Sequence, residues 1–134
     1  MRYMLDTNIC IYIIKNHPPQ VLHRLEALTQ GSAVMSVVSY AELRAGLEIQ
    51  IANRAQDERV LALLIGRIPV LPFTEADAES FGVLRAAVRD RRRDTMDQLI
   101  AAHAISLGLT LVTNKEADFK DYPGLKVENW AIES

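Results

Sequence analysis

One stretch of the sequence, residues 97–114, constrains the fold more than any other. Its first part carries apolar residues at helical spacing almost all the way round, which predicts a largely buried helix: Leu99, Ile100, Ala101, Ala104, Ile105 and Leu107. Gly108 stands where a helix ends in a left-handed cap. Residues 109–112 form a short, mostly apolar run, typical of a parallel strand covered on both faces. A buried helix joined directly to a buried strand predicts an α/β fold.

The rest of the chain alternates in the same way. Short apolar runs predict further strands at residues 2–5, 33–38, 68–73 and 125–127. Two predicted helices begin at the caps Ser39 and Thr74, and other helical patterns cover residues 9–15, 18–31, 53–66 and 116–120. Pro69 and Pro72 place the third strand at a sheet edge. The alternation predicts one α/β domain with a parallel sheet over residues 1–134.

The composition excludes several classes of protein. The net charge is −2, so the chain is not coated with positive charge, and any binding to nucleic acid needs a local patch or metal ions. Cys10 is the only cysteine, which excludes an internal disulfide and fits a reducing compartment. No apolar run approaches the roughly 20 residues of a membrane helix, and there is no charged-then-apolar leader. We therefore expect a cytoplasmic protein.

Acidic and amide side chains stand where predicted strands end or helices begin. Parallel strands end at one edge of a sheet, and ligands bind there beside the point where the strand order reverses. Thr113 and Asn114 leave strand 109–112 at this edge, and the helix that precedes this strand begins near it. If the first strand neighbours strand 109–112, carboxylates from separate segments converge there: Asp6, Glu42, Asp97 and Asp118.

Such a group of carboxylates predicts a cation. Converging carboxylates repel one another, and the pKa of at least one rises unless a cation neutralises them. The donors are all oxygen atoms, with neither His nor Cys in register, so Mg²⁺ or Mn²⁺ fits better than zinc. Acid clusters that hold such ions position water for in-line attack on phosphodiesters. The chemistry alone therefore favours Mg²⁺-dependent hydrolysis of phosphodiester bonds.

Several motifs, in order along nearly the whole chain, together resemble PIN-domain proteins of the VapC type. They are residues 4–8 (MLDTN), 39–43 (SYAEL), 97–104 (DQLIAAHA), 111–114 (LVTN), 118–119 (DF), 123–125 (PGL) and 128–130 (ENW). The resemblance implies a three-layer α/β/α PIN-like domain with a central, mostly parallel sheet of four to five strands. It also implies the toxin of a toxin–antitoxin pair, an Mg²⁺-dependent endoribonuclease that cleaves structured RNA (tRNA or rRNA).

The resemblance further implies partners and residue roles. The partners are a VapB-type antitoxin and a second copy of the chain in a homodimer. By position, Asp6 and Asp97 match the principal metal-binding acids, and Glu42 and Asp118 match the further acids of the cluster. The polar residues that match the lining of the site are Asn8, Thr113 and Asn114.

The segment before the third acid departs from this pattern. Residues 91–96 (RRRDTM) replace a slightly longer, Gly-containing loop, and Asp94 becomes an alternative ligand to Asp97. We expect Asp97 to be the ligand. The arginines of this region either contact phosphate or form a solvated helix end beside Asp90 and Asp94: Arg85, Arg89, Arg91, Arg92 and Arg93.

The sequence also allows simpler, structural roles for these residues. Asp6 could only cap a helix, Glu42 could be a solvated helix residue, and Asp97 could only complement the helix dipole. His103 is expected to be packed or hydrogen-bonded rather than catalytic. Four apolar residues are expected in the core, although some could line a groove for an antitoxin helix: Ile9, Ile13, Leu43 and Leu47.

Two other functions compete with the nuclease. One is phosphotransfer through an aspartyl phosphate, but a phosphatase needs a second Asp where Asn8 stands. A receiver domain needs an Asp after the third strand, where residues 71–73 have none. The other is a non-catalytic PIN-like module that binds RNA or protein. A binding module has no reason to hold like charges together, which argues against it.

Overall fold

The computed structural model describes residues 1–90 and 94–132 and has the predicted α/β architecture. Its strands form one sheet in the order β3-β2-β1-β4-β5, and every strand pairing in the described residues is parallel. The strands are β1 (Tyr3–Leu5), β2 (Ala33–Ser36), β3 (Val70–Leu71), β4 (Thr110–Val112) and β5 (Lys126–Glu128). The neighbours β1 and β4 come from opposite ends of the sequence. Their pairing confirms the condition on which convergence of the acids depended.

Helices cover both faces of the sheet, which confirms the three layers. The helices are α1 (Thr7–Lys15), α2 (Pro19–Glu26), α3 (Val37–Ile49), α4 (Arg54–Arg67), α5 (Glu75–Ala87), α6 (Thr95–Leu107) and α7 (Glu116–Phe119). Successive residues of β1 face opposite cores, as strand geometry requires. Tyr3 and Leu5 pack with α1 to α4, whereas Met4 packs with α5, α6 and α7.

The junction between β2 and α3 differs from the prediction. Ser36, not Ser39, caps α3: its Oγ accepts a hydrogen bond from Val38 N at 3.1 Å. The predicted strand over 33–38 therefore ends at Ser36, and Ser39 lies buried in the first turn of the helix. The β-branched Val37 and Val38 extend the apolar run past the true end of the strand, which is why the pattern was misleading.

The start of α6 also differs. Asp94 is the N-cap, and its Oδ1 accepts a hydrogen bond from Asp97 N at 3.2 Å, so Asp97 is the third residue of the helix rather than its first. Gly108 ends α6 at φ 69°, which confirms the left-handed cap. The helix capped by Thr74 ends at Ala87, before the arginine-rich segment. Arg91, Arg92 and Arg93, placed at that helix end by the sequence, lie outside the described residues.

A buried polar network joins α3, α5 and α6. His103 Nδ1 lies 2.8 Å from Ser36 Oγ, and His103 Nε2 lies 3.4 Å from Asp77 Oδ2. Asp77 also forms the predicted capping box with Thr74. Burial lowers the pKa of His103, more than Asp77 and the Pro72 carbonyl raise it, and this favours the neutral ring. The expectation that His103 is a hydrogen-bonded core residue is confirmed.

The part of the chain that the structure describes contains no helix long and apolar enough to span a membrane. Cys10 is buried in α1 as a free thiol.

The two serines give a matched test of the corrected cap. We expect Ser36→Ala to lower the free energy of unfolding by about 1–2 kcal/mol, because it removes both the α3 cap and the partner of His103. Ser39→Ala should change it by less than about 0.5 kcal/mol, since the Ser39 hydroxyl makes no hydrogen bond. Urea denaturation followed by circular dichroism measures both. Equal losses in the two variants would contradict this account.

Candidate active site

The candidate site lies at the ends of β1 and β4. Asp6 directly follows β1, and Thr113 directly follows β4. Asp6 stays attached to β4, because its backbone N donates to Val112 O, in the last residue of that strand, at 3.0 Å. This is the edge of a parallel sheet at which ligands bind, between strands whose connections run in opposite directions.

Asp6 is a buried carboxylate of which only one oxygen is used. Its side chain caps α1 by accepting a hydrogen bond from Ile9 N at 2.9 Å through Oδ1, while Oδ2 is buried with no hydrogen-bond partner. Burial raises the pKa of Asp6, and the charge of Asp97 adds to this; the Thr113 hydroxyl, the Ile9 amide and Lys115 lower it in part. Asp6 therefore caps a helix, which was the simpler role considered from sequence. This role uses only Oδ1 and leaves Oδ2 free.

Asp97 reaches the same site from the first turn of α6. Its Oδ2 accepts a charge-assisted hydrogen bond from Lys115 Nζ at 2.8 Å. Burial raises the pKa of Asp97, Lys115 lowers it, and the charges of Asp94 and Asp118 raise it further. Asp118 is exposed on α7 and acts on Asp97 through its charge. The predicted acids from β1, α6 and α7 thus influence one another electrostatically.

Glu42 is joined to this group through Thr7. The Thr7 hydroxyl donates to Glu42 Oε1 at 2.5 Å, which ties α3 to the residue next to Asp6. Glu42 is half-buried, so it is held rather than fully solvated.

The predicted amide residues form a polar bridge beside the acids. Asn8 Nδ2 donates to Asn114 Oδ1 at 3.5 Å, and Asn114 Nδ2 donates to Tyr12 Oη at 2.8 Å. The buried Thr113 hydroxyl accepts a hydrogen bond from Lys115 N at 3.0 Å. The structure therefore groups Asn8, Thr113 and Asn114 at the end of β4.

Three residues of this region were not singled out from sequence. Thr7 and Tyr12 are partners of predicted site residues, and Lys115 is the cation nearest to Asp97 in the pairs described. A signal for Lys115 was present, because it follows Asn114 at an edge where only anions were expected. Of the predicted arginine patch, Arg89 bonds the Ala86 carbonyl of its own helix end.

The cluster is looser than a preformed cage. Among residues 1–90 and 94–132, no three His, Cys, Asp or Glu side chains lie close enough together to hold a metal ion. The donor set nevertheless suits a hard divalent ion, because it consists of oxygen atoms and includes the unpartnered Asp6 Oδ2. Mg²⁺ usually binds through one or two carboxylates and keeps several waters, so two carboxylates such as those of Asp6 and Asp97 would be enough to hold it.

Comparison with known proteins identifies the family of this fold. The family model for the PIN domain matches residues 3–125, nearly the whole chain. The chain belongs to the PIN domain family. The resemblance inferred from the motifs is thereby confirmed, and the phosphotransfer alternatives lose their support.

Individual PIN-domain relatives match over almost their full length. The chain is 40% identical to a tRNA(fMet)-specific endonuclease VapC of Shigella flexneri, over 98% of this chain and 99% of that protein. Among solved structures, it is similar to a chain of VapBC2 from Rickettsia felis bound to a DNA fragment from their promoter. That match has a TM-score of 0.90 and 34% identity, and covers 97% of this chain and 99% of that one. DNA-bound VapBC from Salmonella typhimurium matches with a TM-score of 0.90 and 33% identity, over 97% and 98% of the chains.

The burial of Asp6 predicts that its ionised carboxylate lowers the free energy of unfolding. We expect Asp6→Asn to raise the free energy of unfolding by about 1 kcal/mol at pH 7 in chelator, because the amide keeps the α1 cap without the buried charge. Folding raises the pKa of Asp6, so its ionisation opposes folding. The gain is therefore complete above the raised pKa and disappears as the pH falls toward the ordinary value of 3.8.

Thermal and urea unfolding between acidic and neutral pH measure this effect. The control is Asp90→Asn, at an exposed aspartate, which should change little. If Asp6→Asn were less stable than the wild type in chelator, the Asp6 carboxylate would stabilise the fold, and the prediction would be wrong.

Proposed function

We propose that this chain is an Mg²⁺-dependent endoribonuclease, the toxin of a VapC-type toxin–antitoxin pair. The observation that carries the proposal is the buried Asp6 carboxylate, whose Oδ2 has no partner, at the β1–β4 edge of a PIN domain. A buried anion with an unused oxygen is costly unless a cation binds it. The names of the relatives, VapC endonuclease and VapBC, support the same activity.

Asp6 and Asp97 are the residues that would hold the divalent ion. Burial raises the pKa of both carboxyl groups. A bound divalent ion would offset this cost of burial by stabilising the ionised forms. PIN nucleases of the VapC type generally depend on divalent metal. When bound, the ion supplies a Lewis acid for water and for the phosphate of the substrate.

The remaining residues orient water and RNA. Glu42, held by the Thr7 hydroxyl, would accept the proton of the attacking water. Asp118 adds negative charge near Asp97 and completes the outer part of the acid group. The amide bridge of Asn8 and Asn114, braced by Tyr12, offers hydrogen bonds to the RNA backbone beside the scissile phosphate.

We take initiator tRNA as the first substrate to test. The Shigella flexneri relative is a tRNA(fMet)-specific endonuclease, and its 40% identity extends over the whole domain. The net charge of −2 fits a nuclease that depends on bound cations and local contacts, rather than on a general positive surface, to approach RNA.

A groove next to the acids offers a site for the antitoxin. It lies between α1, α3 and α4 with a volume of about 430 Å³, and Glu42 stands on its wall. Its apolar lining includes Ile11, Ile14, Leu43, Leu47, Ile49 and Val60. Leu43 and Leu47 line this groove and also belong to the core with Ile9, while Ile13 packs against that core. An apolar antitoxin segment in this groove would end beside Glu42 and obstruct the site.

Cleavage assays test the catalytic assignment. We expect Asp6→Asn and Asp97→Asn each to reduce Mg²⁺-dependent cleavage of initiator tRNA by more than about 100-fold. Loss of a residue that only hydrogen-bonds to a metal ligand costs roughly 10–100-fold. Asp94→Asn should keep most activity, because asparagine also caps α6 and Asp94 is exposed. Purified protein with total small RNA, mapped at the cleaved ends, gives the substrate as well. Loss of activity in Asp94→Asn alone, or full activity in excess chelator, would refute the assignment.

Antitoxin binding tests the groove separately. We expect Ile49→Asp to weaken binding of the cognate antitoxin by about tenfold or more, because it places a charge on the apolar groove, while RNA cleavage stays unchanged. Leu63→Asp is the matched control, since Ile49 and Leu63 are 78% and 77% exposed and Leu63 is not part of the groove lining. Isothermal titration calorimetry measures both. Equal affinities in the two variants would place the antitoxin elsewhere.

A further inference from the structure

The Lys115 ammonium lies inside the acid cluster. Its Nζ is 2.8 Å from Asp97 Oδ2, and the two side chains are 31% and 16% exposed. A charge-assisted bond of this length, partly withdrawn from water, is stronger than an ordinary surface ion pair. The carboxylate that would hold the divalent ion therefore already has a cation.

The backbone around Lys115 is held in place, so the ammonium is presented by a defined turn. Thr113 N donates to Glu128 O at 2.9 Å, and Lys115 N donates to Thr113 Oγ1 at 3.0 Å. Asp118 N then donates to Lys115 O at 3.0 Å, at the start of α7. These bonds close the turn that leaves β4 beside Asp6.

Several carboxylates share this one cation. The charges of Asp97, Asp6 and Asp94 all act on the Lys115 ammonium, which is bonded directly to Asp97. In return, Lys115 opposes the effect of burial on Asp6 and Asp97. The ammonium thus balances negative charge that the fold otherwise leaves partly buried.

We propose that Lys115 is the resident counter-ion of this cluster and that a divalent ion binds Asp97 only by displacing the Lys115 ammonium. The inference rests on the proposed function, because it concerns the same site. The two cations compete because they use the same carboxylate and repel each other at the short separation that it imposes. Lys115 therefore stabilises the metal-free fold and sets the concentration of free divalent ion above which the enzyme becomes loaded.

Binding of Mn²⁺ in the absence of RNA tests the competition. The free-ion signal in electron paramagnetic resonance gives the dissociation constant for the wild type, Lys115→Met, Lys115→Arg and the control Lys120→Met, at an exposed lysine of the next helix end. We expect Lys115→Met to bind Mn²⁺ about tenfold or more tightly than the wild type. Lys115→Arg, which keeps the charge, and Lys120→Met should bind like the wild type.

Thermal unfolding provides an independent readout. In chelator, Lys115→Met should melt below the wild type because Asp97 loses its cation, and saturating Mn²⁺ should abolish or reverse the difference. Lys115→Gln serves the same purpose if the Met variant does not fold.

The outcomes separate this inference from the proposed function. Mn²⁺ affinity of Lys115→Met equal to that of the wild type would overturn the inference alone. A weaker affinity would also overturn it and would show that Lys115 orients Asp97 for the ion. Absence of Mn²⁺ binding in the wild type and in every variant would overturn the metal-dependent function and the inference together.

Discussion

The burial of the Asp6 carboxylate is the constraint on which the rest of the structure depends. This side chain lies where β1 passes into α1, and one oxygen is used by the backbone of that helix. The other oxygen has no hydrogen-bond partner, so the fold contains a buried anion that packing alone does not satisfy. Cationic charge must therefore come to this edge, and the Lys115 ammonium, paired with Asp97, supplies it in the metal-free protein. The stability of the fold and the proposed chemistry therefore both depend on the Asp6 and Asp97 carboxylates and the Lys115 ammonium.

The helices that carry the other acids are held by a buried polar network around Ser36, the last residue of β2. Ser36 caps α3, which bears Glu42, and it also contacts His103 of α6, the helix that bears Asp97. Asp77 adds α5 to the same network. Buried polar groups that contact one another fix the relative positions of the elements that carry them. Glu42 and Asp97 are thus positioned by contacts made about one or two helical turns away from the acids themselves.

Local rules predicted those features whose cause is local. Gly108 ends α6 because a left-handed residue is needed there, and Thr74 with Asp77 forms a capping box within four consecutive residues. Prolines 69 and 72 restricted the third strand to a short edge strand. The same rules failed where two local signals competed. The β-branched residues after Ser36 concealed the cap of α3, and α6 begins at Thr95 after the cap Asp94, two residues before the start predicted at Asp97.

The sequence by itself determined the alternation of strands and helices, the family motifs and the set of acids at the element ends, since each of these follows from residue type and spacing. Only the tertiary structure decided which groups share an environment. The pairing of β1 with β4 brings together residues about a hundred positions apart, and burial then shifts their pKa values. The Thr7–Glu42 bond, the Tyr12–Asn114 bond and the Lys115–Asp97 pair arise in the same way. Their partners are set by three-dimensional packing, because the strength of a charge or hydrogen bond depends on distance and exposure in the folded chain and not on separation along it.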